Sequence, residues 1–133
     1  MANTVVKTKL SEGAKRAMFH FYFEGDGSGE LINEVLIDPQ ADFEMAVENP
    51  TQLTITKIWS GSALYDWVLK FNALVPLPIW VGVADSANYI SFEYFGGLAD
   101  TSGPEGDGKI LISTNGLATV GTVGTMVIEV KKD

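Results

Sequence analysis

A chain of 133 residues, 46% of them hydrophobic, is long enough to bury its own core and too apolar to be disordered throughout. It has no cysteine, which excludes disulfides and thiolate metal sites, and only one histidine, which leaves little for a zinc centre. A net charge of −8 repels phosphate backbones over most of the surface, so nucleic acid is not an expected partner.

Residues 1–16 lack the apolar stretch of a secretory signal, and no apolar run approaches the roughly 20 residues that cross a bilayer. The expectation is a protein neither exported by that route nor inserted in a membrane. The charge is uneven. Residues 1–23 carry Lys7, Lys9, Lys15 and Arg16 against Glu12 alone, whereas residues 24–107 carry fourteen acids against Lys57 and Lys70. Residues 1–16 therefore read either as an extended basic arm that docks on an acidic neighbour or as an edge strand whose lysines block stray pairing.

Along the chain the dominant period is two. Val5–Leu10 is the first expected strand and Ala17–Phe23 the second. The second is apolar on both faces, which fits a central strand covered on both sides or a surface patch at Met18 and Tyr22 buried by another subunit. Leu31–Ile37 follows, then a short helical turn over Ala41–Val47 that Asp42 is placed to cap. Leu53–Trp59 is the next strand, closed by the small residues Ser60, Gly61 and Ser62. In Leu64–Phe71, Tyr65, Trp67, Leu69 and Phe71 share the inward face, opposite Asp66, Val68 and Lys70. Ile79–Val83, Ile90–Tyr94, Lys109–Thr114 and Met126–Lys131 complete about nine short strands. Turn residues separate them, and no repeat or linker divides the chain. The expected fold is all-β: one antiparallel β-sandwich, jelly-roll-like, spanning residues 1–133.

Little in this pattern carries chemistry. His20 lies between Phe19 and Phe21, a place for a packed or interface histidine rather than a triad base. Trp59-Ser60-Gly61-Ser62 resembles only half of a nucleophile elbow. Glu24, Asp26 and Glu30 share a glycine-rich loop with oxygen ligands suited to calcium, but the spacing is not that of an EF-hand, and a solvated hairpin tip accounts for it. No phosphate-binding glycine motif precedes a helix. The expectation is no enzyme, no cofactor and no metal. The aromatics Trp59, Tyr65, Trp67 and Trp80 raise the alternative of a sugar-stacking platform. Trp67 belongs to the core by its alternation, which leaves Trp59 and Trp80 for exposure or an interface.

Several stretches together resemble a family. Ile58-Trp59 before a small-residue turn, Phe95-Gly96-Gly97-Leu98, Gly106-Asp107-Gly108-Lys109 running into Ile110–Gly116, and a final Val127–Lys132 are similar to small structural proteins encoded by tailed phages. The resemblance extends over nearly the whole chain through turns and strands, and transfers no catalytic residue. It implies a virion component in many copies, assembled in the host cytoplasm. Its partners would be the major capsid protein or other virion proteins, with homo-oligomers, trimers among them, expected. A head decoration or cement protein is the leading expectation. A neck, tail or baseplate protein is the alternative, and a carbohydrate-binding β-sandwich module the second. The anchor is expected among Met18, Tyr22, Trp59 and Trp80, with Lys7, Lys9, Lys15 and Arg16 steering onto an acidic shell.

Overall fold

Alternation of side chains decides which face of each strand is buried. In the computed structural model, the described residues are 4–13, 15–25, 29–39, 41–43, 53–62, 65–73, 75–82, 86–93, 96–100, 108–115 and 122–132. They form ten strands and no helix: β1 (Thr4–Glu12), β2 (Arg16–Glu24), β3 (Glu34–Ile37), β4 (Leu53–Ser62), β5 (Asp66–Phe71), β6 (Leu77–Gly82), β7 (Ser86–Ser91), β8 (Leu98–Ala99), β9 (Ile110–Asn115) and β10 (Val123–Lys132).

The larger sheet runs β1-β2-β10-β4-β7, with the short β8 also pairing β4, and the smaller runs β3-β9-β5-β6. Every pairing is antiparallel. The pairings are nested: β2 with β10, β3 with β9, β4 with β7 and β5 with β6. The nested pairs alternate between the sheets: β2–β10 and β4–β7 lie in the larger one, β3–β9 and β5–β6 in the smaller.

The two sheets enclose the core between them. β2 contributes Phe19, Phe21 and Phe23, β4 contributes Leu53, Ile55 and Ile58, and β10 contributes Met126, Ile128 and Val130. Facing them are Trp67, Leu69 and Phe71 of β5 with Ile110 and Ile112 of β9. Each such side chain contributes about 1.5–3 kcal/mol by leaving water. The three phenylalanines of β2 form a stack with centroid spacings of 6.3 Å, and Tyr65 meets Phe23 edge-on at 6.5 Å. Aromatic bulk of this size needs glycine beside it. A Cβ on Gly124 would overlap the Tyr65 hydroxyl, and one on Gly82 would overlap the Trp67 indole.

The structure departs from the expected elements in several places, among them the start of β6 at Leu77 and the unexpected β8. Residues Ser60-Gly61-Ser62 do not end β4; they continue it, because β10 and β7 pair with them on either side. β7 begins at Ser86 rather than Ile90, since weak strand formers are held there by the ladder to β4. Leu31–Asn33 lies outside β3: Leu31 and Thr114 exchange hydrogen bonds, and Asn33 takes a left-handed φ of 48° supported by Ser113. Of the expected helical turn, residues 44–47 lie outside the described residues. Asp42 turns its carboxylate back onto the Asp38 N–H at 2.7 Å.

Candidate functional site

Facing residues of antiparallel strands share a side of the sheet, so register lays out the outer face of the larger sheet row by row. One row reads Thr8, His20, Val127, Trp59 and Tyr89, from β1 across to β7. The next reads Val6, Tyr22, Thr125, Gly61 and Ala87. On its other side lie Met18, Glu129, Lys57 and Ser91.

The first two rows make an apolar platform. Trp59 and Tyr89 stack with centroids 4.8 Å apart and planes 22° from parallel. Tyr89 stays 53% exposed and Val6 48%, well above the ordinary burial of such side chains. Beside the indole is an open depression of about 430 Å³, lined by Trp59, Ser60, Gly61, Ala87, Thr125 and Val127. Its floor is Gly61: an added Cβ would sit 3.9 Å from Thr125 Cγ2 and 4.0 Å from Ala87 Cβ, ordinary contact distances. His20 Nε2 shares a 2.6 Å hydrogen bond with Thr125 Oγ1, which fixes one wall.

The third row is polar and internally satisfied. Thr56 Oγ1 donates to Glu129 Oε1 at 2.8 Å, and Arg16 Nη1 donates to the same oxygen at 3.0 Å. Arg16 also binds Glu93, and Lys57 Nζ lies 3.4 Å from Glu93 Oε2. The Arg16 hydrogen bond, followed by Lys57, holds the Glu93 carboxyl below its ordinary range, and Glu93 with Glu129 holds the Arg16 guanidinium above its own. Arg16 and Glu93 are exposed, so their pairing adds little stability; it gives the platform a polar rim.

Of the eight residues expected at an interface, Met18, Tyr22 and Trp59 share this face, and Arg16 stands on its rim. The outward residues of β2 are only half-buried, so a strand covered on both sides does not describe it. Lys15 is exposed at the bend before β2. Lys7 and Lys9 point the other way. Lys7 Nζ donates to Leu36 O at 3.0 Å and Asp42 Oδ2 at 2.6 Å, and lies 5.8 Å from the Phe19 ring centre. Lys9 Nζ donates to Glu12 Oε1 at 2.8 Å and to the Asp42 carbonyl at 3.2 Å. The N-terminal segment is thus an edge strand with inward-pointing lysines.

Trp80 is on the smaller sheet and packs inward, edge-on to Phe92 at 5.2 Å. A bulge between Leu69 and Lys70 leaves Ile79 unpaired in the register, so Ile79 and Trp80 both pack against the core instead of alternating. Tyr89 and Ala87 escaped the sequence reading because both fall before the expected start of their strand.

A second concavity, about 260 Å³, opens between β1 and β3 and is lined by Val5, Lys7, Phe21, Leu31, Glu34, Val35 and Leu36. Asp26 of the possible calcium loop lies outside the described residues. Among the described residues, no group of three His, Cys, Asp or Glu is placed to hold a metal ion. Among them, too, no helix is long and apolar enough to cross a membrane. No protein-family model, curated protein or solved structure matches this chain.

Proposed function

We propose that this chain is a structural protein of a phage particle, a head decoration or cement protein whose larger sheet lies against the major capsid protein. The observation that carries the proposal is the outer face of that sheet. It joins a stacked Trp59–Tyr89 pair and a depression over Gly61 to a rim of charges already paired with one another. An apolar centre inside a polar rim is the anatomy of a protein interface. The nested strand pairing supports a jelly-roll fold, an architecture that viral capsid and lectin domains both use. Such a role needs no catalytic step, because each copy contributes a modest contact and the shell's repetition multiplies it. With Lys7 and Lys9 already paired to groups of their own chain, the anchor in this reading is Trp59, Tyr89, Met18 and Tyr22 rather than the basic segment.

The test is cryo-electron microscopy of purified particles together with a binding assay on shells stripped of the protein. Density repeated over the shell, and loss of shell binding in Trp59→Ala, are the expected results. Density confined to the vertex or tail would move the protein to the neck, tail or baseplate class. A second reading has its own observation: an indole beside a shallow apolar depression is what a pyranose ring stacks on. Quenching of tryptophan fluorescence by glycans, lost in Trp59→Ala, together with absence from particles, would favour it.

A further inference from the structure

We infer that the protein self-associates through β7, two copies pairing edge to edge about a two-fold axis. The inference rests on the strand edges and not on the particle reading; it holds equally for a glycan-binding role.

Among the described residues the lateral edges of the two sheets are β1, β7 with the short β8 beyond its end, β3 and β6, and three of these edges carry a device that blocks pairing. β1 turns Lys7 and Lys9 inward and is bulged between Lys9 and Ser11. β3 is four residues long and its register shifts between Val35 and Ile37. β6 contains Pro78 and a bulge opposite Leu69 and Lys70. These are the usual defences against edge-to-edge association. β7 has none of them. It pairs with β4 without a shift from Ser86 to Ser91, and those six residues include no charge and no proline. Among the described residues it has a neighbouring strand on one side only.

The direction of its backbone groups then selects the occupant. The Phe92 N–H donates to Thr56 O at 2.8 Å, so in this ladder Phe92, Ile90, Asn88 and Ser86 turn their N–H and C=O groups toward β4. Ala87, Tyr89 and Ser91 therefore turn theirs outward. The outward set is symmetric about Tyr89. A two-fold axis through Tyr89 sets it opposite Tyr89 of the second copy and Ala87 opposite Ser91, and each such pair exchanges two backbone hydrogen bonds. The same operation brings the Tyr89 rings together on the outer face. The Trp59–Tyr89 stack then continues as one aromatic row through both copies, uniting two platforms in a single sheet. No charge lies on either strand to oppose the contact. A foreign strand would satisfy the same groups, and would then leave the purified chain monomeric.

The contact is small, so a concentration-dependent dimer is expected. Sedimentation of the whole chain over a wide concentration range should show the mass rising from 14.4 kDa toward twice that value. Ala87→Pro should abolish the rise while leaving the thermal melt near wild type, because the Ala87 N–H makes no bond to β4. The chain has no cysteine, so Tyr89→Cys adds a lone thiol at the two-fold axis. It should cross-link rapidly on oxidation, while Val35→Cys on the guarded β3 edge should not. The cross-link reads the geometry even where the proline variant fails to fold. A monomer at every concentration with no preference between the two cysteine variants would overturn the inference. So would a dimer that persists in a folded Ala87→Pro protein.

Discussion

The two faces of the larger sheet come from the same strands and follow opposite rules. On the inner face, β2, β4 and β10 present Phe, Leu, Ile, Met and Val that are almost wholly withdrawn from water. On the outer face the same strands present His20, Tyr22, Trp59, Thr125 and Val127, half-buried or exposed, with Glu129 and Lys57 in the next row. Folding stability is concentrated on one side, which leaves the other free to carry large side chains for contact. Such separation is what a binding face needs: its residues can be chosen for a partner without the fold depending on them.

The sharpest way to break this comparison is truncation at its centre. Phe21→Ala should lose about 3–5 kcal/mol in denaturant unfolding, and Trp59→Ala much less although it removes a larger ring. Equal losses would mean that the outer face is structural after all. Glycines extend the contrast. Gly124→Ala drives a methyl into the Tyr65 hydroxyl and should cost about 1–3 kcal/mol. Gly61→Ala meets only ordinary contacts and should leave the melt unchanged while raising the floor of the depression.

Titration separates the faces as well. Burial pushes the Tyr65 phenol up to about 12, from an ordinary value of 10.0. A raised value means that its stabilising effect is complete below pH 10 and is lost as pH rises through 12. The loss should reach about 3 kcal/mol, and Tyr65→Phe should remove this alkaline dependence. Glu93, on the exposed rim, behaves oppositely. Its lowered value, due first to the Arg16 hydrogen bond, gives stability that is present above the ordinary carboxylate value and lost as pH falls through the lowered one. Arg16→Gln should flatten that acid dependence by much less than the Tyr65 effect, and added salt should shrink it further.

The sandwich was legible in the sequence because period two is a local property. Tyr65, Trp67, Leu69 and Phe71 alternate with Asp66, Val68 and Lys70, and those four are buried as the pattern predicts. Met126, Ile128 and Val130 repeat the lesson in β10. Period two says which residues of one strand share a face; it says nothing about which strand lies beside it. The partners of Trp59, namely Tyr89 and Val127, come from strands about thirty and seventy residues away in the chain. Only long-range pairing put them in one row. Bulges add a second limit: Trp80 faces Leu69 in the register and so packs inward, and the extra residue Ile79 packs inward beside it, where alternation alone set the two on opposite faces. The lysines of β1 show the same division. Their charge and spacing left a docking arm and an edge strand both open, and the choice depended on Asp42 and the Leu36 carbonyl waiting across the sandwich. Local chemistry determined the strands and their buried sides; register, bulges and sheet order, which are collective, decided what meets on the surface.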